Sequence, residues 1–140
     1  MAEQGTPDGT RPFDLEARLL DYATRVVRVA ESLPRTRTGN HVAGQLLRAG
    51  TSPLSNHGEA QAAESPADFV HKLHICLKEL RETHRWLQLV RSVPLVKPPS
   101  KLDGILVETE ELVKIFASSI KTAKTRLDNK DRTSTIDREL

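Results

Sequence analysis

The chain of 140 residues is 37% hydrophobic and 29% charged, a length that suits one domain with a buried core. Lys and Arg number 21 against 19 Asp and Glu, so a formal charge of only +2 excludes a polycation of the histone type. A single Cys excludes an internal disulfide framework and a Cys-based zinc site. No apolar run approaches the roughly 20 residues that span a bilayer, and nothing at the start resembles a signal core. A cytoplasmic protein with no membrane partner is expected.

Residues 1–12 are rich in Gly, Pro and Thr without apolar periodicity, so they are expected to form a flexible leader. Four segments follow in which apolar residues recur at spacings of three and four, the mark of one buried helix face. The first carries Leu15, Leu19, Tyr22, Val26, Val29 and Leu33, with Asp14 as cap and Pro34 as stop. Leu20, Ala23, Val27 and Ala30 widen that stripe, as in a helix packed against two neighbours.

The second segment, from about Thr38 to Ala63, places Val42, Leu46, Ala49 and Pro53 on one side. Pro53 lacks an N–H and crowds the preceding turn, so a kink or short break is expected at Gly50–Pro53. The third opens on Ser65 as cap with Pro66 in the first helical position. Its seam then runs through Phe69, Leu73, Cys76, Leu80, Thr83, Leu87 and Val90. After Ser100, a candidate cap, Leu102, Leu106, Thr109, Val113, Phe116, Ile120, Ala123 and Leu127 define a fourth helix. Residues 128–140, mostly charged, are expected to be a flexible tail. No period-two run is bounded by turn residues, so the fold class is all-α. Short connections predict an antiparallel up-down-up-down four-helix bundle over residues 13–127.

Three sets of polar residues stand out. Arg48, Ser52, Asn56 and Glu59 share one stripe of the second segment, and Arg48 is placed to pair with Glu79 or Glu82 of the third. These six residues are expected to form a structural polar network. Lys72, Ile75 and Trp86 follow a second stripe of the third segment, about 100° from its core seam, and are candidates for a subunit interface. Basic residues cluster at Arg35 and Arg37, at Lys78, Arg81 and Arg85, and at Lys121 and Lys124, where they could contact phosphates. The sequence holds no Glu-x-x-His pair of the kind that builds a di-metal bundle, and no Gly-rich phosphate loop. No metal, cofactor or catalytic residue is therefore expected, and the chain reads as a non-enzyme.

The run Ala43-Gly44-Gln45-Leu46-Leu47-Arg48-Ala49-Gly50-Thr51-Ser52-Pro53-Leu54-Ser55-Asn56, then Gly58-Glu59-Ala60, together with Phe69 through Thr83 (FVHKLHICLKELRET), resembles the bacterial four-helix-bundle family of 23S ribosomal RNA intervening-sequence proteins. That family is in turn similar to the accessory variability proteins of diversity-generating retroelements. The resemblance implies a non-enzymatic, ring-forming protein, a homopentamer, associated with RNA or DNA and with a reverse transcriptase as a partner. It also places Arg48, Ser52, Asn56, Glu59, Glu79 and Glu82 on motif positions that hold the bundle or ring together. Two functional readings follow: a nucleic-acid-associated accessory or scaffold, and a protein–protein adaptor that binds no nucleic acid.

Overall fold

The structure, a computed structural model, describes residues 12–139, with side chains from 15 to 133. Among these residues there are four α-helices and no strand: α1 (Pro12–Ser32), α2 (Arg37–Gln61), α3 (Pro66–Ser92) and α4 (Asp103–Glu139). A 3-10 turn at Pro99–Leu102 precedes α4. Most of the expected leader, residues 1–11, lies outside the described residues. Among the described residues α1 runs from Pro12, which places Asp14, expected as its cap, inside the helix. Proline is well suited to a first helical position, because the N–H it lacks would have no helical acceptor there.

Two helix starts are capped by hydroxyls, one at Thr36, where no cap was expected, and one at Ser65, where it was. The Thr36 hydroxyl accepts from the Gly39 amide at 3.0 Å and opens α2. Ser65 accepts from the Asp68 amide at 3.1 Å and opens α3, with Pro66 in the first turn. The expected cap of α4 does not form. Ser100 sits inside the 3-10 turn, where the Lys101 amide donates to the Pro98 carbonyl at 3.0 Å. At its other end α4 runs past Leu127 to Glu139, although residues 128–133 are exposed. The apolar stripe stops at Leu127 because burial stops there; the i to i−4 backbone ladder requires no buried face.

A core drawn from all four helices fills the interior. Leu19, Tyr22 and Val26 of α1 join Val42 and Leu46 of α2, Leu73, Leu80 and Leu87 of α3, and Leu112 and Phe116 of α4. The seam read from each segment is thus the buried face. The widened stripe of α1 holds only in part: Ala23 and Ala30 are buried, whereas Leu20 is 58% and Val27 38% exposed. At 100° per residue those two large side chains point away from Tyr22 by about 140–160°.

Consecutive helices are packed together, and α4 also reaches α1. There the Arg18 guanidinium donates twice to Glu108, Nε to Oε2 at 3.1 Å and Nη2 to Oε1 at 2.7 Å. That bond raises the already high Arg18 pKa. Beside it, the Tyr22 hydroxyl meets Thr109 Oγ1 at 2.7 Å inside the core, and Thr109 donates onward to the Ile105 carbonyl. The Tyr22 hydroxyl is therefore the donor of the pair, and burial raises its pKa. Tyr22→Phe should lower the unfolding free energy by about 1 kcal/mol, the worth of one buried hydrogen bond, as read from urea denaturation; an unchanged midpoint would mean the bond contributes nothing.

No break interrupts α2 at Pro53, which is buried within a continuous helix. Polar side chains around it bond to nearby carbonyls: Ser55 Oγ and Asn56 Nδ2 both donate to the Ser52 carbonyl at 3.1 Å. The Pro53 carbonyl itself accepts from the Cys76 thiol at 3.6 Å. The carbonyl that loses its helical donor to Pro53 is that of Ala49, so these bonds are additional to the ladder and do not replace the missing one.

Candidate nucleic-acid interface

Where α2 and α3 meet, the predicted polar stripe becomes a cross-helix network. Arg48 Nη1 donates to Glu79 Oε2 at 3.1 Å, and Nη2 donates both to Glu82 Oε2 and, at 3.1 Å, to Gln45 Oε1. Glu79 is buried, so the guanidinium supplies the opposite charge that a buried carboxylate requires. Trp86 Nε1 donates to the same Glu82 oxygen at 3.0 Å, and the indole meets His41 edge-on with ring centres 5.9 Å apart.

Lys72 Nζ donates to Glu59 Oε1 at 2.9 Å, which raises the lysine pKa. Asn56 bonds only within its own helix, to Ser52 Oγ at 2.8 Å. The six network candidates therefore divide into an Arg48–Glu79–Glu82 fork, a Glu59 pair and a local Ser52–Asn56 pair. Two of the three interface candidates, Lys72 and Trp86, bond across or beside the α2–α3 seam, and Ile75 is half-buried.

The basic residues behave differently. Lys78, Arg81 and Arg85 are exposed along the outer face of α3, and among the described residues no carboxylate pairs with them. By contrast Arg18, Arg25, Arg48, Lys72, Arg91 and Lys114 each have an acidic partner within 4.0 Å. Arg81 and Arg85 border a groove of about 540 Å³ between α3 and α4, together with Gln88, Glu110, Val113 and Lys114. His84 Nε2 and Glu110 Oε2 bridge the groove at 3.0 Å. It continues into a second hollow of about 800 Å³ that reaches Leu106, Val107 and Asp103.

Arg35 and Arg37 are exposed at the α1–α2 connection, and Lys121 and Lys124 on α4; neither pair borders the α3–α4 groove. Sequence reading missed Gln88, Glu110 and Lys114 and assigned Val113, which is half-buried at the groove, to the α4 seam alone. Val107, Glu110, Val113 and Lys114 share one helix flank beside the α4 seam, but nothing in that spacing sets them against α3.

A model of the family described as 23S rRNA-intervening sequence protein matches residues 15–118. The chain belongs to this family. Among solved structures it is similar to a protein of unknown function from the S23 ribosomal protein family of Bacteroides thetaiotaomicron. The two are 33% identical, and the alignment covers 79% of this chain and 97% of the other with a TM-score of 0.72. No curated protein matches the chain.

The family span contains the whole polar network, the ridge and the α3–α4 groove, whereas Lys121 and Lys124 lie beyond it. Chemically, these surfaces offer ion pairs and hydrogen bonds. The buried Cys76 thiol is pushed up to about 12 by burial, so it stays protonated at neutral pH. His57, buried against Phe116, has its pKa lowered by burial and is held neutral. Among the described residues no three His, Cys, Asp or Glu side chains gather as a metal site, and no helix is long and apolar enough to cross a membrane.

Proposed function

We propose that this protein is a non-enzymatic, homo-oligomeric scaffold, closing as a ring of five, that associates with nucleic acid in the cytoplasm. The observation that carries this reading is the alignment of Lys78, Arg81 and Arg85 along one exposed face of α3 with no carboxylate partner among the described residues, a state that Arg35, Arg37, Lys121 and Lys124 share elsewhere on the surface. Unpaired cations on one face supply the counterion-releasing contacts that phosphates exploit. Repetition around a ring would multiply that field. Within each copy the helices alternate in direction, a reading supported by pairs such as Arg48–Glu79 and Lys72–Glu59, whose numbers rise on α2 as they fall on α3. A bend of α2 at Gly50–Pro53 belongs to the same proposal.

Titration into labelled RNA and into single- and double-stranded DNA should show affinity that falls as salt rises, with a log–log slope of roughly −0.7 to −0.9 per phosphate contacted. Arg81→Glu with Arg85→Glu should weaken binding at least about tenfold, the scale of losing two phosphate contacts. The mass by light scattering should stay near five protomers. A monomer would overturn the ring. The adaptor reading is favoured by one observation, the exposure of Leu20 and Val107 at 58% each; a protein that binds no nucleic acid even at low salt would select it.

A further inference from the structure

The groove between α3 and α4 is not a simple phosphate track. Its α3 bank carries the Arg81 and Arg85 guanidiniums and its α4 bank Lys114, but between them lie the Gln88 amide, the Glu110 carboxylate and the apolar surface of Val113. The apolar floor continues into the adjoining hollow with Leu106 and with Val107, which is 58% exposed. A duplex presents its phosphates and sugars outward and keeps its base faces stacked, so it would meet only the cations and would be repelled by Glu110. An unpaired strand offers what the rest of the groove requires: flat base faces for the valines, and amino and imino edges for carboxylate and amide acceptors. Its phosphates remain within reach of the arginines, whose guanidinium planes can themselves stack on a base.

We infer that this groove is a subsite for unpaired nucleotides, in which Val107 and Val113 support base faces, Gln88 and Glu110 read base edges, and Arg81 and Arg85 hold the phosphates. The inference rests on the nucleic-acid reading above and narrows it to single-stranded ligands. His84 has a positioning role, since its bond to Glu110 fixes the carboxylate at mid-groove.

The test is fluorescence anisotropy with a labelled 12-nucleotide RNA of mixed sequence, single-stranded and annealed to its complement, at low salt. The single strand should bind at least about tenfold tighter than the duplex. Val107→Glu and Gln88→Ala alter exposed side chains, so the fold is retained, as circular dichroism would verify. Gln88→Ala should weaken single-strand binding several-fold and leave duplex binding unchanged, Val107→Glu should weaken single-strand binding more than duplex binding, which its added charge also opposes, and Arg81→Glu with Arg85→Glu should weaken both. Equal binding of the two forms, or indifference of single-strand binding to both Val107→Glu and Gln88→Ala, would overturn the subsite while leaving the scaffold reading intact. Competition by poly-glutamate as effective as unlabelled RNA would also overturn it, marking a site for anions in general. Binding of neither form would overturn the nucleic-acid reading and the subsite together.

Discussion

Phe116→Ala should lower the unfolding free energy by about 3–5 kcal/mol, the range for removing a large buried ring. Phe116 is wholly buried on α4 and stands edge-on to His57 of α2, with ring centres 6.2 Å apart and planes at 89°. Truncation therefore removes apolar burial, leaves a cavity among Leu112, Ile120 and the α2 face, and strips His57 of one wall of its pocket. The histidine would then be a buried polar group beside a void, which adds to the cost of the cavity itself. Phe116→Leu keeps most of the volume and should cost less than about 1.5 kcal/mol. Urea denaturation of both variants separates cavity from chemistry. Equal losses for Ala and Leu would contradict a closely packed ring.

Gly50→Val should be nearly as damaging, by about 3 kcal/mol, at the upper end for overpacking a core. Gly50 is buried in α2 where α1 crosses it, and a Cβ at this position would fall inside contact distance of both Val26 methyl groups, one of them at 2.9 Å. Val26 is fully buried and β-branched, so its methyl groups have no free rotamer to retreat into. The better helix propensity of Val or Ala, worth at most about 1 kcal/mol over Gly, does not offset the overlap. The close approach identifies the partner. Val26→Ala should destabilise on its own, yet Gly50→Ala combined with Val26→Ala should cost less than the two single losses added. Simple additivity in that cycle would show that the two helices do not touch there.

The buried seams were legible because helix burial writes a spacing of three and four into the chain, and Leu19, Leu46, Leu80 and Phe116 carry it without interruption. The Arg48 pairing with Glu79 and Glu82 was legible for a related reason, since a lone Arg facing two acids on neighbouring helix stripes has few other partners. Other features leave no periodic trace. The end of α4 was missed because exposed helix and exposed coil share a composition in Asp128, Lys130 and Arg132. Leu20 and Val27 misled because hydrophobicity alone does not say which of two adjacent faces lacks a neighbour. The groove required residues from α3 and α4 to be set side by side, and no spacing within one helix encodes that.

The Arg48 fork has one more consequence. Apolar seams repeat every seven residues and tolerate sliding: a displacement of α3 along α2 by one turn, roughly 5.4 Å, still sets leucines against leucines. The fork does not tolerate it. Moved one turn in either direction, the guanidinium would face Ile75 or Thr83 where Glu79 had been, and a carboxylate would be stranded in the interior. Together with the Lys72–Glu59 pair farther along the same two helices, this charged crosspiece acts as an indexing pin, favouring one alignment of two otherwise interchangeable greasy surfaces because it leaves the buried Glu79 carboxylate paired.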